Sequence, residues 1–214
     1  MTRAAEHKGE HGNGRSGERE LARIRASAAR CRSCPLWRPA TQTVFGEGPP
    51  AAPIMLVGEQ PGDREDLEGK PFVGPAGRLL DKALADAGID RGAVYTTNVV
   101  KHFKYRMRGK RRIHQRPAAA EITACRQWLD AELGLVRPEV LVCLGATAAH
   151  ALLGSSYSVE RDRGRLLDTD LAPATLITSH PSAALRQRDA RTRRLAIAAL
   201  TEDLGVVARA AALA

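Results

Sequence analysis

The stretch "PIMLVGEQPG", residues 53–62, decides how the rest of the chain is read. Ile54, Met55, Leu56 and Val57 form a continuous apolar run that stops abruptly at Gly-Glu-Gln-Pro-Gly. Such a run is a short strand covered on both faces, ending in a polar turn. Downstream, "PAGRLLDKALADAG" (75–88) has the spacing of an amphipathic helix that stops at Gly88. The alternation then repeats. "AVYTTNVVKH" (93–102), "EVLVCLG" (139–145) and "ATLITSHPS" (174–182) read as strands. "AAAEITACRQWLDAELGLV" (118–136), "ATAAHALLG" (146–154) and "ARTRRLAIAALTEDLGVVARA" (190–210) read as helices. The expected fold class is therefore α/β, a three-layer α/β/α sandwich around a central, mainly parallel four-stranded sheet. In such sheets the working residues gather at the carboxyl ends of the strands. Three ends carry polar groups here: "GEQPGD", the Asn of "TTNVVKH", and "SHPS".

At 214 residues the chain is long enough to enclose a core of its own. Residues 1–18 mix Gly, His, Glu and Arg without periodicity and are expected to be a disordered basic and polar tail, leaving 19–214 as a single domain. Leu21, Ile24 and Ala28 suit a helix from Glu18 to about Ala29. No apolar run approaches a membrane span and the N-terminus lacks a hydrophobic signal segment, so a soluble, cytoplasmic protein is expected, with a monomer as the default. A formal net charge of +9 points to a polyanion, with DNA or RNA as the first candidate. Four cysteines occur, Cys31, Cys34, Cys125 and Cys143. In a reducing compartment the Cys31-x-x-Cys34 pair suggests a metal or redox site rather than a disulfide. Residues 101–117 read as an unusually long loop, and loops of that length in a compact domain tend to be functional or disordered. Within it, "RGKRRIHQRP" (108–117) surrounds His114 with positive charge.

The succession of "GEQPGDREDLEGKPFVGPAGRLLDKAL" (58–84), "TNVVKH" (97–102) and "HPSAALR" (180–186) resembles the family 4 uracil-DNA glycosylases, the iron–sulfur branch of that superfamily. The inserted "GKRRIHQ" (109–115) resembles the UdgX type within it, which becomes covalently attached to DNA after removing uracil. The likeness runs from about Cys31 to the last helix.

The resemblance implies the uracil-DNA glycosylase fold and a reaction on uracil-containing DNA, single- or double-stranded. A base inside a duplex must be extruded into a pocket that stacks on it and reads its edge. Phe72 is implied as the stacking platform, the alternative being an ordinary core Phe. Asn98 offers a donor and an acceptor matching uracil, and an amide buried in a strand without such a partner is costly. His180 is implied as donor to the departing base, unless it is only a hydrogen-bonded structural residue. Glu59, Gln60 and Asp63 belong to the loop that in ordinary family 4 members serves the hydrolytic water. Gln60 replaces the Ala of many relatives, and Asp63 could equally be a cap.

His114 is implied as the nucleophile that captures the sugar cation before water does. Glu59, bonded to the other ring nitrogen, would orient the ring, while the cations around it would bind phosphates and disfavour the imidazolium. Leu185 resembles an intercalating wedge and Arg186 a phosphate contact. Lys110, Arg111, Arg112 and Ser182 complete the expected DNA-binding set. "LGATAA" (144–149) could also offer backbone amides to a phosphate.

Cys31 and Cys34 match the first half of the family's cluster motif. Where relatives carry a third cysteine this chain has His102, in "VVKHF" (99–103), and Cys125 stands for the fourth. The implied ligands of a [4Fe–4S] cluster are Cys31, Cys34, His102 and Cys125, with Cys143 as the alternative fourth ligand. By spacing alone zinc is equally acceptable. Two other readings stay open: a turning-over family 4 glycosylase in which His114 only touches DNA, and a non-catalytic, metal-stapled nucleic-acid-binding protein.

Overall fold

The structure, a computed structural model, describes residues 10–212. Eight α-helices and seven strands follow one another among the described residues: α1 (Glu10–Ala28), β1 (Ile54–Gly58), α2 (Asp63–Glu68), α3 (Pro75–Asp86), β2 (Val94–Asn98), β3 (Tyr105–Arg108), β4 (Arg111–His114), α4 (Ala119–Val136), β5 (Val140–Leu144), α5 (Ala146–Leu153), α6 (Val159–Asp162), β6 (Leu166–Thr169), β7 (Ala172–Thr178), α7 (Pro181–Leu185) and α8 (Ala190–Ala211). None of these helices is long and apolar enough to cross a membrane.

The central sheet has the order β2-β1-β5-β7-β6. The four strands read from the sequence are parallel to one another, and the fifth, β6, runs antiparallel to β7 at the edge. β6 escaped the sequence because "LLDT" is short and alternates between exposed and half-buried positions. Successive residues of a strand point to opposite faces, and both faces are covered. Met55, Val57, Tyr95, Leu141, Cys143 and Ile177 pack with Leu21, Ala28, Cys125, Leu129 and Ala149 of α1, α4 and α5. Ile54, Leu56, Val94, Val142 and Leu176 pack with Leu80, Leu84, Leu200 and Leu204 of α3 and α8. The expected three-layer sandwich is what these two cores make.

Two expectations need correction. Helix α1 begins at Glu10, not Glu18, so residues 10–18 are helical, while the rest of the expected tail, residues 1–9, lies outside the described residues. No proline interrupts 10–28, and extending a helix already nucleated on the buried Leu21 costs little per residue despite Gly12, Gly14 and Gly17. The stretch 101–117 is not an irregular loop either. β3 and β4 form an antiparallel hairpin that pairs Tyr105 with His114 and Arg108 with Arg111. Gly109 occupies the first turn position with φ +59, the placement that a two-residue hairpin turn favours. His114 thus rides on the end of a strand.

Candidate functional site

The carboxyl ends of β1, β2, β5 and β7 open into one cavity of about 980 Å³. It lies where β1 connects to β2 on one side and stands beside β5 on the other, the place at which an open parallel sheet forms a crevice. Glu59, Gln60, Asp63, Phe72, Asn98, His114, His180, Ser182, Leu185 and Arg186, all singled out in the sequence, line it.

Gly58, the last residue of β1, is the floor. A Cβ built there would lie 2.4 Å from Asn98 Oδ1, 2.7 Å from Phe72 Cζ and 3.5 Å from His180 Nε2. Three side chains that can stack on a base and hydrogen-bond its edge therefore converge on a space that only glycine leaves open. Phe72 holds φ +57, a region bulky residues avoid, and its ring stacks against His180 at 6.2 Å between centroids. The turn is fitted closely to α3: a Cβ at Gly77 would fall 1.6 Å from the Phe72 carbonyl oxygen.

Asn98 is held from behind. Fully buried Lys101 donates from Nζ to the Asn98 carbonyl at 2.7 Å, to Thr97 Oγ1 at 2.6 Å and to Glu132 Oε2 at 2.5 Å. Glu132 also accepts from Gly46 N, Tyr95 Oη and Thr97 Oγ1. A buried ion pair with this many partners resists leaving either charge alone.

His180 caps α7. Its Nδ1 accepts the Ser182 backbone N–H at 3.1 Å and lies 2.7 Å from Ser182 Oγ, which itself accepts from Arg186 Nη1 at 2.8 Å. Burial, the Arg186 charge and the neighbouring His114 push the ring's pKa down to about 4. The neutral ring therefore carries its proton on Nε2, the nitrogen that faces the Gly58 floor.

On the opposite wall, His114 Nε2 lies 3.3 Å from Glu59 Oε1 and 2.8 Å from Gln60 Nε2. The ring is half exposed at the cavity mouth. Burial lowers its pKa, Glu59 works in the other direction, and Arg186 lowers it further. Two expectations change here. Glu59 meets the same nitrogen that Gln60 meets, not the far one, and the cation that disfavours the imidazolium is Arg186, not the basic residues of the hairpin. Gln60 clamps the hairpin's base, with Oε1 accepting from Lys104 N at 3.0 Å and Nε2 donating to Gln115 O at 2.9 Å.

Arg112, expected on DNA, is turned inward. It pairs with Asp63 and Asp66 at 2.6 Å each, donates to Thr41 Oγ1 and covers the rings of Phe103 and Tyr105. This brace ties the hairpin to α2, and it also accounts for Asp63. Lys110 and Arg111 stay exposed at the hairpin tip. Leu185 projects at the rim, 38 % exposed. Thr147 and Glu65 also line the cavity and were missed. Thr147 lies within the quoted "LGATAA", but its partner Glu59 is far away in sequence. Glu65 carries no signal of its own in the sequence, and its role comes from position: it is buried and accepts from Gly74 N at 2.8 Å.

Cys31, Cys34 and Cys125 gather at a separate corner. Cys31 and Cys34 both act electrostatically on Cys125, whose thiol burial pushes up to about 11. Hydrogen bonding with Ser33 holds the Cys31 thiol below its usual value against the effect of burial, and Trp128 Nε1 is buried without a hydrogen-bond partner. Three thiols and an unpartnered N–H donor match the chemistry of a thiolate-held group. They do not close into a ligand shell: among the described residues no group of three His, Cys, Asp or Glu could hold a metal ion. His102 Nε2 lies instead 2.9 Å from Thr43 Oγ1. Cys143 is buried in β5 facing the core, where burial pushes its thiol up to about 12, away from this corner.

Residues 45–204 match the family model described as the Uracil DNA glycosylase superfamily, and the chain belongs to that superfamily. Within it, 169 residues are 38% identical to the Type-4 uracil-DNA glycosylase of Thermotoga maritima, covering 78% of this chain and 84% of that one. The Type-4 uracil-DNA glycosylase of Sulfurisphaera tokodaii is 37% identical over 173 residues, 77% of this chain and 76% of its own. That of Pyrobaculum aerophilum is 34% identical over 175 residues, 78% and 86%.

Proposed function

We propose that this chain excises uracil from DNA and captures the resulting deoxyribose on His114. The observation that carries the reading is that His114 and Glu59 stand in the same cavity as Asn98, Phe72 and His180.

An extruded uracil enters over the Gly58 floor, stacks on Phe72 and pairs with the Asn98 amide. The C1′–N1 bond breaks with its electron pair going to the base. The His180 Nε2–H donates to the developing uracil oxyanion, a neutral imidazole acting as a fixed donor. The cation left at C1′ faces the Glu59 carboxylate. With its proton on Nδ1, neutral His114 offers the Nε2 lone pair, which forms the N–C1′ bond. The imidazolium so formed lies beside Glu59 and returns to neutrality by releasing the Nδ1 proton, while uracil leaves after taking up a proton. Lys110, Arg111 and Arg186 serve phosphates, and Leu185 fills the gap in the base stack.

The Cys31, Cys34, Cys125 and His102 corner is the proposed seat of a [4Fe–4S] cluster, with zinc as the alternative by spacing. Such a group would staple α1 and the hairpin to the sheet, and no step above passes through it.

The test is a denaturing gel with uracil-containing and thymine-containing oligonucleotides. A detergent-stable protein–DNA band that needs uracil, and that His114→Ser replaces with abasic product, is the expected result. Wild-type protein releasing abasic DNA over many turnovers would show a conventional glycosylase, and absence of free uracil would remove the enzymatic reading altogether.

A further inference from the structure

The two carboxylate oxygens of Glu59 have different partners. Oε1 faces His114 Nε2 at 3.3 Å. Oε2 accepts the hydroxyl proton of Thr147. Thr147 is buried and is the second residue of α5, whose N-cap position belongs to Gly145. Its hydroxyl therefore serves Glu59 rather than a helix cap. A glutamate at the edge of a cavity would otherwise exchange among several staggered rotamers. Gln60 cannot restrain it, because both ends of that amide already hold Lys104 and Gln115 on the hairpin. The first turn of α5 adds a favourable field for the anion.

We infer that Thr147 is a positioning residue: it locks the Glu59 carboxylate in the orientation that faces the deoxyribose, and so sets how fast the sugar cation is captured. The inference rests on the proposed roles of Glu59 and His114. It concerns a residue whose hydroxyl is engaged by the carboxylate and that acts through it.

Thr147→Val keeps the shape and removes the donor, and Thr147→Ser keeps the donor. Uracil release and adduct formation are timed separately in single turnovers across pH. In Thr147→Val adduct formation should slow by about tenfold, the scale of one hydrogen bond to a charged group, with a smaller change in uracil release. The acidic limb of the adduct rate, set by protonation of the His114 ring, should move to higher pH, because a Glu59 carboxylate without the Thr147 donor keeps more of its charge for the imidazolium that it faces. Thr147→Ser should restore both. A merely structural role would lower the melting temperature and leave the limb in place.

Wild-type adduct rate and an unmoved limb in Thr147→Val would overturn the inference. Should that variant not fold, Thr147→Ala tests the same missing hydroxyl. If the wild type forms no adduct, the His114 reading fails by itself. Thr147 is then judged on multiple-turnover uracil release, where Glu59 would serve water. A Thr147→Val turnover rate equal to that of the wild type there overturns the positioning role too.

Discussion

The backbone N–H of Ser182 donates to Nδ1 of His180 at 3.1 Å, and that bond settles which nitrogen of the ring can donate into the cavity. Ser182 and Arg186, both in the expected DNA-binding set, also form a relay, Arg186 to Ser182 Oγ to His180 Nδ1, that favours the same tautomer. A donor held neutral acts on a developing oxyanion without carrying a charge that must be desolvated when the base enters.

His180→Ala should lower single-turnover uracil release by roughly 10²–10³, the usual consequence of losing one donor to a developing anion. Because the ring's pKa lies at about 4, the wild-type release rate should show no histidine titration from His180 between about pH 5 and 8, where an ordinary imidazole would titrate. A clear inflection there that vanishes in His180→Ala would contradict the assigned protonation state.

Adduct formation should depend on pH differently from release. Burial and Arg186 hold His114 below the usual imidazole range, so the ring stays neutral and nucleophilic through neutral pH. The adduct rate should be flat there and fall only as acid protonates the ring below that range. A rate already declining from about pH 8 to 7, above the ordinary imidazole pKa of about 6.5, would be incompatible with this environment.

Gly58→Ala places a methyl group 2.4 Å from Asn98 Oδ1 and 2.7 Å from the Phe72 ring. Uracil excision should fall at least about tenfold, since overpacking of this kind costs roughly 1–3 kcal/mol and here falls on the base-binding space. The urea melt should change far less than the activity, because both neighbours border a cavity. A variant excising uracil at the parental rate would show that the base does not enter over this floor.

Lys101→Met leaves Glu132 buried without its cation and should reduce stability by about 3–5 kcal/mol, as breaking buried pairs does. Replacing both residues by apolar ones should restore part of that loss. Equilibrium urea unfolding of the single and double variants checks this, and a near-wild-type midpoint for Lys101→Met would mean that the pair contributes little.

The residues of the cavity were legible in the sequence, because "GEQPGD", "TTN" and "HPS" each end or follow a strand, a parallel sheet brings its strand ends together, and "KPFVG" belongs to the family motif that continues from the first of them. Their couplings were not. Arg112 looked like one more phosphate contact, and Thr147 like part of a common helix start. Both acquire their roles from partners far away in sequence, Asp63 and Asp66 for the one and Glu59 for the other. The edge strand β6 and the hairpin register likewise depend on pairing that local pattern does not encode.

By itself the sequence determined the alternation of strand and helix, the sheet covered on both faces and the family, since hydrophobic period and motif order are local properties of a chain. The tertiary structure decided the tautomer of His180, the inward turn of Arg112, the nitrogen of His114 that meets Glu59, and how the cysteines are spaced at their corner. Hydrogen-bond direction and charge–charge distance exist only once remote segments are brought within a few ångströms of each other.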